Sequence, residues 1–117
     1  MRVLVVEDEM LIALSIEDML ADMGHEVAAV AMRLPQAMKL AETPDLDLAI
    51  LDINLNGEMS FEVADILAHR DVPFLFATGY GSAGVSTAHA QRVRIKKPFG
   101  PAELAGAIRQ VTTQPQA

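Results

Sequence analysis

The stretch Leu48-Ala49-Ile50-Leu51-Asp52-Ile53-Asn54-Leu55-Asn56-Gly57 decides how the chain is read. Four apolar residues, Leu48 to Leu51, have the composition of a strand buried on both faces, as in a parallel sheet. A carboxylate, Asp52, follows at once, and Asn56-Gly57 signals a turn. In an open parallel sheet the ligand crevice lies outside the carboxyl ends of the strands. An aspartate there meets small molecules while a rigid strand holds it. Aspartate also begins ordinary loops, so this segment alone leaves both readings open.

Working outward, Val3 to Val6 is a continuous apolar run bounded by acids, the first strand. Leu11, Ile12, Ile16, Met19, Leu20 and Met23 recur at helical spacing, and Gly24 stands where a helix C-terminus takes glycine. Glu26 to Val30 is a weaker, alanine-rich second strand. Arg33 to Glu42 reads as a short helix with Pro35 in its first turn. Thr43-Pro44-Asp45 is a loop before the third strand. Beyond Gly57, Ser60 is expected to N-cap a helix to about His69, with Val63, Ala64 and Leu67 inward. Pro73 opens the fourth strand, Phe74 to Ala77, and Thr78-Gly79-Tyr80-Gly81 is a loop. Ser82 to Ala90, rich in small residues, reads as a short or mobile helix. Val93 and Ile95 alternate with Arg94 and Lys96, the pattern of a half-exposed edge strand. Gly100-Pro101 starts a last helix with a stripe of Leu104, Ala105, Ile108 and Val111. Thr112 to Ala117 reads as a frayed tail.

Five strands alternating with helices call for an α/β fold, a doubly wound parallel sheet with helices on both faces. Strands two and five are the most polar and belong at the edges, which the order 2-1-3-4-5 provides. Strands one and three then lie side by side, and their carboxyl ends carry Glu7-Asp8 and Asp52. With no repeat or linker in sight, residues 1–117 are expected to form a single domain, frayed from about residue 113.

Composition narrows the function. The 117 residues are 51% hydrophobic, ample for a packed core. No apolar run approaches the ~20 residues of a membrane span, and the run Met1 to Val6, followed by acids, is too short to read as a signal peptide. There is no cysteine, hence no disulfide or thiolate metal site. A cytoplasmic location fits. The net charge of −7 argues against nucleic-acid binding. His25, His69 and His89 are scattered and are expected at the surface.

Three carboxylates should therefore meet in one crevice. Glu7, Asp8 and Glu9 also suit the start of a helix, but like charges so close are tolerable with a divalent cation among them. Oxygen ligands without sulfur or histidine point to Mg2+. Thr78 ends strand four with a hydroxyl, and Lys97-Pro98 ends strand five with an ammonium on the same rim. The bond before Pro98 is expected to be trans on general grounds.

This constellation resembles the receiver domain of two-component response regulators, over essentially the whole chain, which has the flavodoxin-like (βα)5 fold. The resemblance implies phosphoryl transfer from a histidine kinase or histidine phosphotransferase onto Asp52. It implies Asp8 and Asp52 as direct Mg2+ ligands, Glu7 acting through water, and the backbone carbonyl of Asn54 completing the site. Thr78 matches the switch hydroxyl and Lys97 the lysine before a cis proline. The domain would catalyse only its own phosphorylation and dephosphorylation and is otherwise no enzyme. Arg94 stands where the family usually has an aromatic residue. Pro73 to Gly81 closely resembles the signature of FAT GUY receivers, which lack that aromatic and serve alphaproteobacterial general stress responses. A stand-alone receiver signalling by protein–protein contact through the face of the fourth helix, fifth strand and fifth helix is expected. It would be a monomer or a phosphorylation-dependent dimer. The alternatives are a receiver cut from a hybrid histidine kinase or larger regulator, or a metal-dependent phosphohydrolase. The last is disfavoured because its nucleophile follows the first strand, with a second aspartate where this chain has Asn54.

Overall fold

The computed structural model describes residues 1–79, 89 and 92–113. In chain order the elements are β1 (Arg2–Val6), α1 (Met10–Asp22), β2 (Glu26–Ala31), α2 (Leu34–Leu40), β3 (Leu48–Asp52), β4 (Asn54–Leu55), β5 (Glu58–Met59), α3 (Phe61–His69), β6 (Phe74–Thr78), β7 (Arg94–Lys96) and α4 (Pro101–Thr113). Five strands form one parallel sheet in the order β2-β1-β3-β6-β7. Counting those five alone, this is the expected 2-1-3-4-5 order of a flavodoxin-like α/β fold, with the polar strands at the edges. Val3 to Val6 pair with Leu48 to Leu51 in continuous register, so β1 and β3 end level with one another.

Side chains alternate across the sheet. Leu4, Val6, Ala49, Leu51, Phe74 and Phe76 pack with α2 and α3 on one face. Val3, Val5, Leu48, Ile50 and Leu75 pack with α1 and α4 on the other. Every residue of β3 and β6 is buried, which explains why both read as unbroken apolar runs. A fully buried leucine such as Leu20 or Leu104 contributes about 1.5–3 kcal/mol to this core.

Helix ends follow local chemistry. After α1, Gly24 takes φ +86°. Its N–H donates to Ala21 O at 3.0 Å and that of His25 to Leu20 O at 2.9 Å, the paired closure that favours glycine. After α3 the same closure forms around Asp71 at φ +59°, with Asp71 N–H to Ala68 O at 3.1 Å and Val72 N–H to Leu67 O at 2.9 Å.

Several expectations change. Ser60 precedes α3 but makes no side-chain cap; its hydroxyl is buried without a hydrogen-bond partner. Its backbone N–H is tied to Ile53 O at 2.9 Å, and a ψ of 15° is not the extended geometry a capping side chain uses. Ala107 rather than Ala105 completes the buried stripe of α4. That helix continues through Thr113, and the Thr112 and Thr113 hydroxyls donate to carbonyls one turn back at 2.7 and 2.6 Å. The expected helix at Ser82–Ala90 lies outside the described residues apart from His89, as does the tail from 114 onward.

The Asn56-Gly57 turn proves to be the tip of an antiparallel hairpin, β4 with β5. Asn56 at φ +54° and Gly57 at φ +90° give two consecutive left-handed residues, the tight turn whose twist matches a hairpin and which Asn-Gly favours.

Candidate phosphoacceptor and cation site

The carboxyl ends of β1, β3, β6 and β7 supply the site. Backbone hydrogen bonds hold those ends level: Ile53 N–H donates to Ala77 O at 3.4 Å and Lys97 N–H to Thr78 O at 2.8 Å. The residues line a cleft of about 660 Å³. Asp8, Asp52, Thr78 and Lys97 form its polar end, and Leu11, Ile12, Met19, Met59 and Phe99 are among its apolar walls.

Glu7, Asp8 and Asp52 converge as expected, with one carboxylate oxygen from each within 4.8 Å of the others. Glu7 and Asp52 are buried, at 1% and 6% exposure, and Asp8 is partly open. Lys97 reaches between the two buried acids. Its Nζ donates to Glu7 Oε1 at 3.0 Å and to Asp52 Oδ2 at 3.3 Å. The other Glu7 oxygen accepts the Glu9 N–H at 3.1 Å. Glu7 is therefore committed to organising the lysine and the start of α1, which suits a role one water removed from a cation. Asp8 Oδ2 accepts the Asn56 N–H at 2.9 Å. Asn54 N–H approaches Asp52 Oδ1 at 3.4 Å, a long contact. An all-oxygen set without histidine or thiolate fits Mg2+.

The electrostatics are those of crowded acids. Burial pushes the Asp52 carboxyl up, the Glu7 charge adds to this, and Lys97 opposes; the result is about 7. Asp52 is raised despite its ammonium partner because burial, with the Glu7 charge beside it, outweighs the pull of Lys97. Burial also acts to raise Asp8, yet the Asn56 N–H and contacts with Glu7 and Asp52 prevail and hold it below the usual carboxylate range. Burial acts against the Lys97 ammonium, but the hydrogen bond to Glu7 and the charges of Asp52 and Glu7 hold it above its ordinary value.

Thr78 is buried at the end of β6. The Lys97–Pro98 peptide is cis, against the trans expectation; the trans preference before proline is small enough for a fold to override. Arg94 pairs with Phe76 in the β6–β7 register and is half-buried.

His89 overturns the expectation of a surface histidine. It is 4% exposed. Its ring stacks on Phe61 at 6.0 Å and meets Phe74 and Phe76 edge-on, while Nε2 contacts Asp65 Oδ1 at 2.8 Å. The aromatic cage and one carboxylate hold Nε2, while Nδ1 is buried with no hydrogen-bond partner among the described residues. Sequence reading also missed the contact of Asn56 with Asp8, although the Asn-Gly pair itself was visible.

Comparison with known proteins agrees with this geometry. The chain is 34% identical over 113 residues to the phyllosphere-induced regulator PhyR of Methylorubrum extorquens, covering 93% of this chain and 42% of that protein. The solution structure of SdrG from Sphingomonas melonis superposes with a TM-score of 0.86 at 38% identity, over 94% of each chain. A mutant of the anti-anti-sigma factor PhyR from Bartonella quintana gives 0.81 at 29% identity, over 96% of this chain and 48% of that one. The chain thus spans about half the length of the curated relatives it matches. The family model for the response regulator receiver domain matches residues 3–109. That span takes in the four strand ends that carry the carboxylates, Thr78 and Lys97, and this chain is a member of the response regulator receiver domain family.

Proposed function

We propose that Asp52 is the phosphoacceptor of this receiver domain. The observation that carries the reading is Lys97 Nζ lying between Glu7 and Asp52 beside the partly open Asp8. A carboxylate oxygen of Asp52 attacks the phosphorus of a phosphohistidine. The P–O bond forms as the P–N bond breaks, and the imidazole leaves with the bonding pair and is protonated. Lys97 turns from Asp52 towards the incoming phosphoryl oxygens, and the Thr78 hydroxyl donates to one of them once transfer is complete. Asp8, Asp52, the Asn54 backbone carbonyl and, through water, Glu7 would hold Mg2+, which neutralises charge on the transferring group.

The donor is a histidine kinase or histidine phosphotransferase. Leu11 and Met59, which line the cleft, are 82% and 42% exposed, and Met10 and Leu14 of α1 are exposed too, which favours a protein donor over a small metabolite. Likeness to PhyR and SdrG favours a FAT GUY-type cytoplasmic module of the general stress response, which signals by binding another protein, as monomer or phosphorylation-dependent dimer. Among the described residues no helix is long and apolar enough to cross a membrane. The length of the PhyR relatives favours, as a second reading, the receiver part of a larger regulator.

The test is incubation with a small phosphodonor and Mg2+, read by intact mass. Wild type should gain one phosphoryl group and Asp52→Asn none. Full labelling of the variant would move the site, and continuous donor hydrolysis without a labelled protein would favour a phosphohydrolase.

A further inference from the structure

The β4–β5 hairpin is more than a connection between β3 and α3. It touches the acidic site at two points, and a third hydrogen bond fixes its own turn. Asn54 N–H approaches Asp52 Oδ1. The Asn54 side-chain Oδ1 accepts the Gly57 N–H at 2.6 Å, fixing the turn. The turn in turn lays the Asn56 N–H on Asp8 Oδ2 at 2.9 Å. Asp8 is the least buried of the three acids and comes from the loop after β1; beside its contacts with Glu7 and Asp52, the Asn56 N–H is the hydrogen bond that reaches its carboxylate from the hairpin. No other contact to its carboxylate from the β3–α3 connection occurs among the described residues.

We infer that the Asn56-Gly57 turn is a positioning device for the cation site: by holding Asp8 Oδ2 it presents the other carboxylate oxygen to Mg2+ and so sets the affinity. This rests on the cation reading given above. The physical case has two sides. A backbone N–H on Oδ2 draws charge from the carboxylate and weakens it as a ligand. It also fixes the carboxylate plane, removing the rotational entropy that binding would otherwise have to freeze. Partners of this kind that orient a metal ligand typically contribute about 10–100-fold in metal affinity. Orientation outweighs the loss of basicity here because Asn54, whose carbonyl is the expected third ligand, is fixed by the same turn. One left-handed dipeptide thus sets two ligands together.

The experiment is a Mg2+ titration of the full chain, followed by amide NMR, with no phosphodonor. A Cβ at Gly57 would meet nothing within 4 Å, so Gly57→Val acts through its left-handed backbone and not through a clash. It should weaken Mg2+ about ten-fold while leaving amide shifts of the sheet unchanged. Asn54→Ala keeps the backbone carbonyl and removes the acceptor for Gly57 N–H; it should weaken Mg2+ in the same direction. Gly57→Asn, which tolerates the left-handed region, should restore affinity. In wild type the Asn56 amide resonance should move on adding Mg2+, and in Gly57→Val it should not. If wild type binds Mg2+ and both damaging variants bind equally well or more tightly, the positioning role is wrong and the cation site stands. If wild type itself does not bind, or Asp8→Ala binds as wild type does, the cation reading fails and the positioning role with it.

Discussion

Replacing Asp52 by Asn keeps the shape of the side chain and removes its charge. In the folded protein without metal the carboxyl titrates at about 7, against 3.8 when unrestrained. The unfolded chain therefore binds fewer protons than the native one between those values, and stability falls as pH rises through that window. The stabilising protonated form is fully present below 3.8 and lost as pH approaches and passes 7. Carrying a carboxyl across that interval corresponds to at most about 4 kcal/mol. Lys97 can turn wholly onto Glu7 in the variant, and solvent reaches the open end of β3, so the expected gain at pH 8 is about 1–3 kcal/mol. At pH 4 the difference should shrink to a few tenths, about what a neutral isostere gives. Urea unfolding of both proteins in EDTA at the two pH values measures it. Adding Mg2+ at ten times its dissociation constant should then stabilise wild type by about 1.4 kcal/mol and leave the variant behind. A variant no more stable than wild type at pH 8, or equally more stable at both pH values, would refute the account of Asp52 as a carboxylate strained by burial and by Glu7.

Lys97→Ala removes the cation between two buried acids and should cost about 2–4 kcal/mol at pH 8. Because protonation can relieve Asp52, the loss should lessen as pH falls towards 5 by the same urea assay. Asp71→Gly should stabilise by about 0.5–1 kcal/mol, since φ +59° strains an L-residue and not glycine; thermal unfolding shows it as a higher midpoint. Leu104→Ala, which empties a fully buried position under α4, should cost about 2–4 kcal/mol without changing Mg2+ affinity. Asp8→Ala should abolish most Mg2+ binding by titration calorimetry and modestly destabilise the apo fold near neutral pH, because the carboxylate is held below its ordinary range and accepts the Asn56 N–H.

Strand order was legible because burial writes itself into composition. Leu48–Leu51 and Phe74–Ala77 lack polar residues since both faces of β3 and β6 are covered, while Glu26 and Arg94 mark the edges. The site was legible because each strand end places one chemical type on the rim. What escaped depends on residues distant in the chain. His89 is buried by three phenylalanines contributed by α3 and β6, which no local pattern announces. Asp71 occupies a left-handed cap position where glycine would have been the signal. Asn56-Gly57 announced a turn, but its target, Asp8, is 48 residues away. The alternation of Val93 and Ile95 gave the edge strand, although Val93 itself lies just before β7 and packs with the α1–α4 layer.

The sheet divides the molecule into two compartments, and the alternation along its strands assigns each rim residue to one of them. Asp52 continues the series Leu48 and Ile50, which belongs to the α1–α4 side. Thr78 continues Phe74 and Phe76, which belongs to the α2–α3 side. Under the proposed phosphorylation, a charge added at Asp52 would enter one compartment, and the Thr78 hydroxyl proposed to answer it is rooted in the other. Their apolar interiors are partitioned by five strands, so the rim is where a disturbance can cross without deforming a packed layer. A message written in this way on one side of the partition would be readable on the far side at the cost of moving a single side chain.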